Sequence, residues 1–409
     1  MVAVVWSAPG VGPDVPSHAV LAPTQYHTFA PPAQVGATSA DPVFGTRITR
    51  LTVLDPARRT SAEVTNSEIS YFNADGTLFL GTDETSWGAI FDGRTGEKLK
   101  RFDRGTMQPW AIRWSPDPNR FYKYEGNEVR LYDVRDLSYK LLHRFQEYDA
   151  IGPAGGEGDV SDDGRYWCLD GGARLFVYDL IDDKRGPESP FIFDGNNIDY
   201  AAVSCSGRYV IVLWRKTGAE RHCGTELYDR EWNFIRQLVP WCTHVEVAYG
   251  PDGEEILVVN AQFRQDEFNA RWKVQPGDII SVRFSDGHVT RLLQIPRWAH
   301  SMFSACNSVT TPQYIYAALD ARFDPEKEWY PYHGEIIEVP TDGSQQVRRL
   351  VHHRSRPVQG VSQKGTQPDF CINRQGTKII FKSNFGGPRT DLYMFDVSQA
   401  DKRAPQPRP

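Results

Sequence analysis

No lysine or arginine occurs in the first forty residues, so the positive start that precedes the apolar segment of a secretory signal is absent there. A trimmed export signal is compatible with that absence, and a secreted or periplasmic location is expected slightly ahead of a cytoplasmic one. No apolar run approaches the length of a membrane span, which argues against a membrane partner. Cys168, Cys205, Cys223, Cys242, Cys306 and Cys371 are scattered without a CxxC pair, which excludes the usual structural zinc spacings. Most are expected as buried free thiols, with one disulfide, Cys223 to Cys242, kept open. Positive charge is also in deficit. The net charge of −6 removes any general attraction to nucleic acid. Helical periodicity is weak throughout the chain.

Turns and aromatic rings are abundant instead. The 409 residues hold 34 glycines and 12% aromatics, a composition suited to pleated sheet. One pattern recurs: a short strand with a polar start, a tight turn closed by glycine, a second apolar strand, then a third strand. Asn73-Ala74-Asp75-Gly76, Ser161-Asp162-Asp163-Gly164, Ser204-Cys205-Ser206-Gly207, Gly250-Pro251-Asp252-Gly253 and Asn373-Arg374-Gln375-Gly376 are five of these turns. Their spacing is roughly 45 residues or a multiple of it, the period of a four-stranded propeller blade. Third strands follow seven times, at 88–92, 129–133, 175–179, 225–229, 279–284, 335–339 and 391–397.

The fold expected is therefore all-β: a seven-bladed β-propeller of four-stranded antiparallel blades. A chain that begins inside a blade closes the ring by pairing its first strand with the last blade, and 46–52 suits that task. The domain plan is an extended N-terminal tail at 1–40, one propeller at 41–400 and a disordered tail at 401–409.

In such blades the glycine turns lie on one face. The strand-one starts and the loops between strands two and three lie on the other. Four residues before each turn stand Ile69, Ala111, Glu157, Tyr200, Glu246, His300 and Asp369, with His244 and Gln367 two places earlier in their copies. Carboxylates and imidazoles on innermost strands are costly unless hydrated, hydrogen-bonded or bound to a cation. His244, Glu246, His300, Gln367 and Asp369 thus form a candidate set for Mn or Ca. A water-filled polar channel explains them equally well.

The loops sharing that face carry Arg215, Arg271, Trp272, Arg322, Trp329, Arg354 and Arg389, which suggest an anionic ligand with apolar faces. Ordinary solvated loop residues are the plain alternative.

Gln367-Pro368-Asp369-Phe370, followed by Gly376-Thr377-Lys378-Ile379-Ile380-Phe381-Lys382-Ser383-Asn384, with His300-Ser301-Met302-Phe303-Ser304 one blade earlier, resembles the TolB-like propellers. More narrowly, it looks like the oligogalacturonate-lyase-type enzymes and related propeller polysaccharide lyases. The resemblance implies a divalent cation held by histidines and a glutamine, at places comparable to His244, His300 and Gln367. The chain departs from that pattern in having Asp369 where a second histidine near the glutamine is expected. It further implies β-elimination on an acidic oligo- or polysaccharide, with His300 or His353 as base and Tyr332 as acid. A non-catalytic glycan- or protein-binding propeller and a glycoside hydrolase are the alternatives, the last using carboxyls such as Glu157, Glu246 and Asp369.

Overall fold

The structure, a computed structural model, describes residues 18–54, 66–83, 88–102, 109–321, 323–359 and 363–398. Seven antiparallel sheets follow one another around an axis. Blade 5 is representative, with strands Val245–Tyr249, Glu255–Asn260, Ile279–Arg283 and Val289–Leu293 running from the axis outward. Val247 opposes Leu257, which opposes Val282, so alternate residues of each strand face the same neighbouring sheet. The core is consequently a set of apolar layers between blades. Leu213 and Leu227 of blade 4 meet Val245, Leu257 and Val282 of blade 5 in one such layer. Met302 and Ile336 of blade 6 meet Phe370 and Phe381 of blade 7 in another.

The turns form for local reasons. Asn73 Oδ1 accepts from Leu78 N at 2.9 Å, and Asn373 Oδ1 accepts from Thr377 N and Lys378 N at 2.8 and 3.0 Å. These bonds hold the chain in the reversal, and the glycine that completes it sits at φ +71° (Gly76) or +66° (Gly376), where a side chain is strained. Third strands end in aspartate for a similar reason. The carboxylates of Asp92, Asp133, Asp179 and Asp229 each accept the amide two residues on.

Ring closure uses the strand Arg47–Arg50, which pairs with the third strand of blade 7, Asp391–Asp396, in the register Thr49 to Met394. Thr38–Ala40 adds a fifth strand outside it, inside the stretch expected to be tail. Asp391 secures the seam. It accepts from Thr52 Oγ1 at 3.0 Å and Leu54 N at 2.9 Å, and is paired with Arg50.

Two innermost strands differ from expectation. In blade 1 only a Phe72–Phe79 bridge forms. In blade 3 the strand is Ile151–Gly152, and 157–160 is irregular. The buried Arg113 of blade 2 is the cause: its guanidinium donates to Gly158 O at 2.8 Å and Gly156 O at 3.2 Å, using carbonyls that a neighbouring strand would otherwise occupy. All six cysteines are free, so the Cys223–Cys242 disulfide is not formed. No helix is long and apolar enough to cross a membrane among the described residues.

Because Asp391 ties three donors in a dry seam, Asp391→Ala is expected to lower unfolding free energy by about 3 kcal/mol. Urea denaturation checks this, and an unchanged midpoint would show that the seam does not limit stability.

Candidate channel site

At the glycine-turn face one side chain spans the axis. Arg374, on the blade 7 turn, reaches across the axis to blade 3, where Nη1 donates to Asp162 O at 2.8 Å and Nη2 stands 3.8 Å from Asp162 Oδ1. Above this bar lies a cavity of about 60 Å³ whose lining includes Glu68, Glu157, Asp159, Asp162 and Glu246. Burial pushes Asp162 up to about 7 despite Arg374, with Asp159 and Glu255 adding to the rise. Burial likewise raises Glu246 well above the ordinary carboxylate range. Its oxygens accept the amides of Val247 and Ala305, at 2.8 and 3.1 Å.

Towards the other face the histidines meet. The rings of His244 and His300 lie 5.0 Å apart at 70°. His244 Nδ1 is 3.4 Å from Glu68 Oε1. Burial alone would lower the His244 pKa, but Glu68 at that distance, with Glu157 and Asp369 beyond, raises it to about 9. Glu68 is 6% exposed, and neither of its buried oxygens has a hydrogen-bond donor in good geometry among the described residues. Asp369 is ion-paired with the buried Lys382, and burial still lifts it to about 6. Gln367 Nε2 points at Met302 Sδ, 3.6 Å away, on the strand that follows His300.

The five residues of the expected metal set, His244, Glu246, His300, Gln367 and Asp369, lie along the channel, but among the described residues the acidic and histidine side chains close enough to share an ion are His27, Asp324 and Glu326. Glu68 escaped the sequence reading. Counting back from the blade 1 turn selects Ile69, which is buried in the apolar core. The missing strand in that blade shifts the alternation by one, and Glu68 takes the channel side.

The loop residues are dispersed. Arg215 is held by Asp199 Oδ1 at 2.6 Å and Gly195 O at 2.7 Å. Arg271 lies over the Trp272 ring at 5.0 Å, on the short helix Asp266–Trp272, and both line an open groove of about 780 Å³ between blades 4 and 5. Arg389 is half-buried on blade 7, and Arg322 lies outside the described residues.

Four other residues belong to a different structure. Residues 18–29 cross blades 6 and 7 as a strap. Arg349 donates to Ala19 O at 2.6 Å, His352 Nε2 bonds Leu21 O at 2.9 Å, Arg354 donates to Thr24 O at 3.3 Å and Arg356 to Tyr26 O at 2.9 Å. Tyr26 packs edge-on to Trp329 at 5.6 Å, and Arg354 covers Phe29 at 4.0 Å. Tyr332 is fully buried with its hydroxyl 3.1 Å from His18 Nδ1. Trp329, Arg354 and Tyr332 are therefore anchors of the chain's own N-terminal segment. The ligand and acid roles read for them from sequence are corrected accordingly.

His353 is corrected as well. It is fully buried, Nε2 faces Leu319 O at 2.8 Å and Nδ1 accepts from Ser355 N at 3.0 Å, so neither nitrogen is left to abstract a proton.

No family model matches the sequence, and no curated protein matches it. Solved structures do match in fold. The oligogalacturonate lyase of Vibrio parahaemolyticus aligns with a TM-score of 0.59 and 14% identity over 88% of this chain and 96% of its own. An oligogalacturonate lyase in complex with manganese gives 0.60 and 14% over 90% and 97%. The Swd1 β-propeller domain of Myceliophteria thermophila gives 0.50 and 13% over 83% and 98%. At these identities the likeness is one of fold.

Burial holds His353 near pKa 4, below the ordinary 6.5, so it stays neutral in the fold where the unfolded chain takes up a proton. Its contribution of roughly 3 kcal/mol is fully present above pH 6.5 and lost as pH falls towards 4. Urea titrations at pH 7 and 4.5 should show that loss, and a His353→Gln variant, weaker at pH 7, should show a flatter acid limb. An equal acid slope in both proteins would refute the assignment.

Proposed function

We propose that this chain is a lyase that cleaves a uronic-acid-containing glycan by β-elimination at the open mouth of the channel. The observation that carries the reading is the His244–His300 pair beside the buried carboxylate of Glu68, with Arg374 spanning the axis at the far end of the channel. A propeller fold shared with two oligogalacturonate lyases, one a manganese complex, adds to it.

A cation fits this donor set, because Glu68 is buried beside His244 and an ion there would replace the proton that Glu68 holds on His244. Glu68 and the neutral form of His244 would hold it. When bound, the ion would neutralise the uronate carboxylate and make the proton alpha to it more acidic. Glu246 is occupied by two amides and Asp369 by Lys382, so these shape the field around the donors.

His300 is half-buried at the mouth and takes the part of base, removing the proton alpha to the carboxylate while the bond to the departing sugar oxygen breaks. Without an ion His244 is cationic at neutral pH, and it would give up that proton to ligate one, so it is not the base. The same commitments of Glu246 and Asp369 weigh against a hydrolase with two free carboxyls.

The test is the ultraviolet absorbance of the conjugated unsaturated uronate during incubation with a panel of uronic-acid glycans, with and without chelator. A rise on one glycan is expected, reduced at least about 100-fold in kcat by His300→Ala. Glu68→Gln is expected to weaken manganese binding by calorimetry and to bring the His244 pKa down from about 9. No unsaturated product from any member of the panel would end the lyase reading and leave a binding propeller.

A further inference from the structure

Next to the histidine pair, on the same face, is a groove of about 500 Å³ lined by Phe263, Gln275, Pro276, Pro296, Arg297, Trp298 and Phe323. Its size falls within the ordinary range of small-ligand pockets. Trp298 links it to the channel, with its ring 6.4 Å from His300 and 5.9 Å from Phe263. Phe263 is 57% exposed, which leaves most of its ring open to a ligand.

The groove is built. Gly277 sits at φ +99°, and a Cβ there would come within 3.0 Å of Trp298 Cα and 3.3 Å of its Cδ1, so only glycine lets the indole segment settle against this loop. Pro276 and Pro296 stiffen the two walls. The Arg297 side chain is exposed over the rings of Tyr330 and Phe323, at 5.6 and 5.8 Å, while its carbonyl is 3.2 Å from His333 Nε2.

We propose that this groove is the subsite for an acidic sugar next to the bond that is cleaved, an inference that rests on the uronate reading of the channel and assigns its recognition residues. Phe263 and Trp298 offer flat faces to the apolar face of the ring, and Arg297 offers a forked donor to its carboxylate. The charge of Arg297 selects an acidic over a neutral sugar, and the path from Trp298 to His300 places the next unit of the chain at the base.

Calorimetric titration with acidic oligosaccharides of two to four units, with and without chelator, tests the subsite independently of turnover. Phe263→Ala and Arg297→Gln, both at exposed positions, should each raise Kd about tenfold, and in turnover raise KM with kcat within twofold. Arg297→Gln should also erase the preference over a neutral oligosaccharide of equal length. Binding that depends on Phe263 and Arg297 without any unsaturated product would keep the subsite and sink the lyase reading. Turnover with wild-type KM in both variants would do the reverse. Wild-type protein that binds no acidic oligosaccharide would overturn the subsite.

Discussion

A ring of sheets persists only if its seam is as strong as its other joints, and here that seam is made by strands from opposite ends of the chain. The Asp391 carboxylate collects Thr52 Oγ1, Leu54 N and Arg50 at the point where the two strands meet. Without it Thr52 Oγ1 and Leu54 N would lose their acceptor in a dry interface, while Arg50 would keep the carbonyls of Thr52 and Pro32. Everything at the axis depends on this closure, because the innermost strands are pressed together only while the ring is shut. The seven starts then share one small space, and the polar residues placed there must find partners in each other.

That crowding explains the electrostatics of the channel. Five acidic residues contribute to the cavity lining, together with Arg374. Burial penalises their charged forms, which lifts Asp162 to about 7, so it holds a proton part of the time near neutrality. Others draw cations: His244 gains its proton, Lys382 pairs with Asp369, and Arg374 spans the axis to Asp162. Arg374 lies at one end of the axis, and the histidines stand towards the other.

The fold was legible in the sequence because the turn chemistry repeats. Asn73, Asn373 and their glycines announce a reversal whose geometry depends on a few local hydrogen bonds. The channel candidates were reached in the same way, by counting back from a regular turn to residues of the same orientation. Where a blade is irregular the count fails, and Glu68 was passed over in favour of Ile69. Arg113 could not be read either, for its role is to replace a strand with side-chain bonds to Gly156 O and Gly158 O. The loops were hardest. Arginine and aromatic residues look alike in sequence whether they bind a sugar or a peptide, and Trp329, Tyr332 and Arg354 bind the chain's own residues 18–29.

The strap therefore redraws the accessible surface of the open face. Its carbonyls are claimed by Arg349, His352, Arg354 and Arg356 in succession, and its rings by Trp329 and Phe385, the latter stacked on Phe29 at 6.1 Å. Blades 6 and 7 are covered along that line, so the basic and aromatic residues beneath are spent on holding it. Recognition by exposed groups must then come from the opposite flank of the histidine pair, where blade 5 and the link into blade 6 leave Phe263 and Arg297 open. A ligand reaching His300 along that flank meets aromatic faces and one cation before it meets the carboxylates of the channel. An anionic chain with apolar ring faces matches that order, whereas a neutral one would gain nothing from Arg297 and a cationic one would be held further in, among the acids.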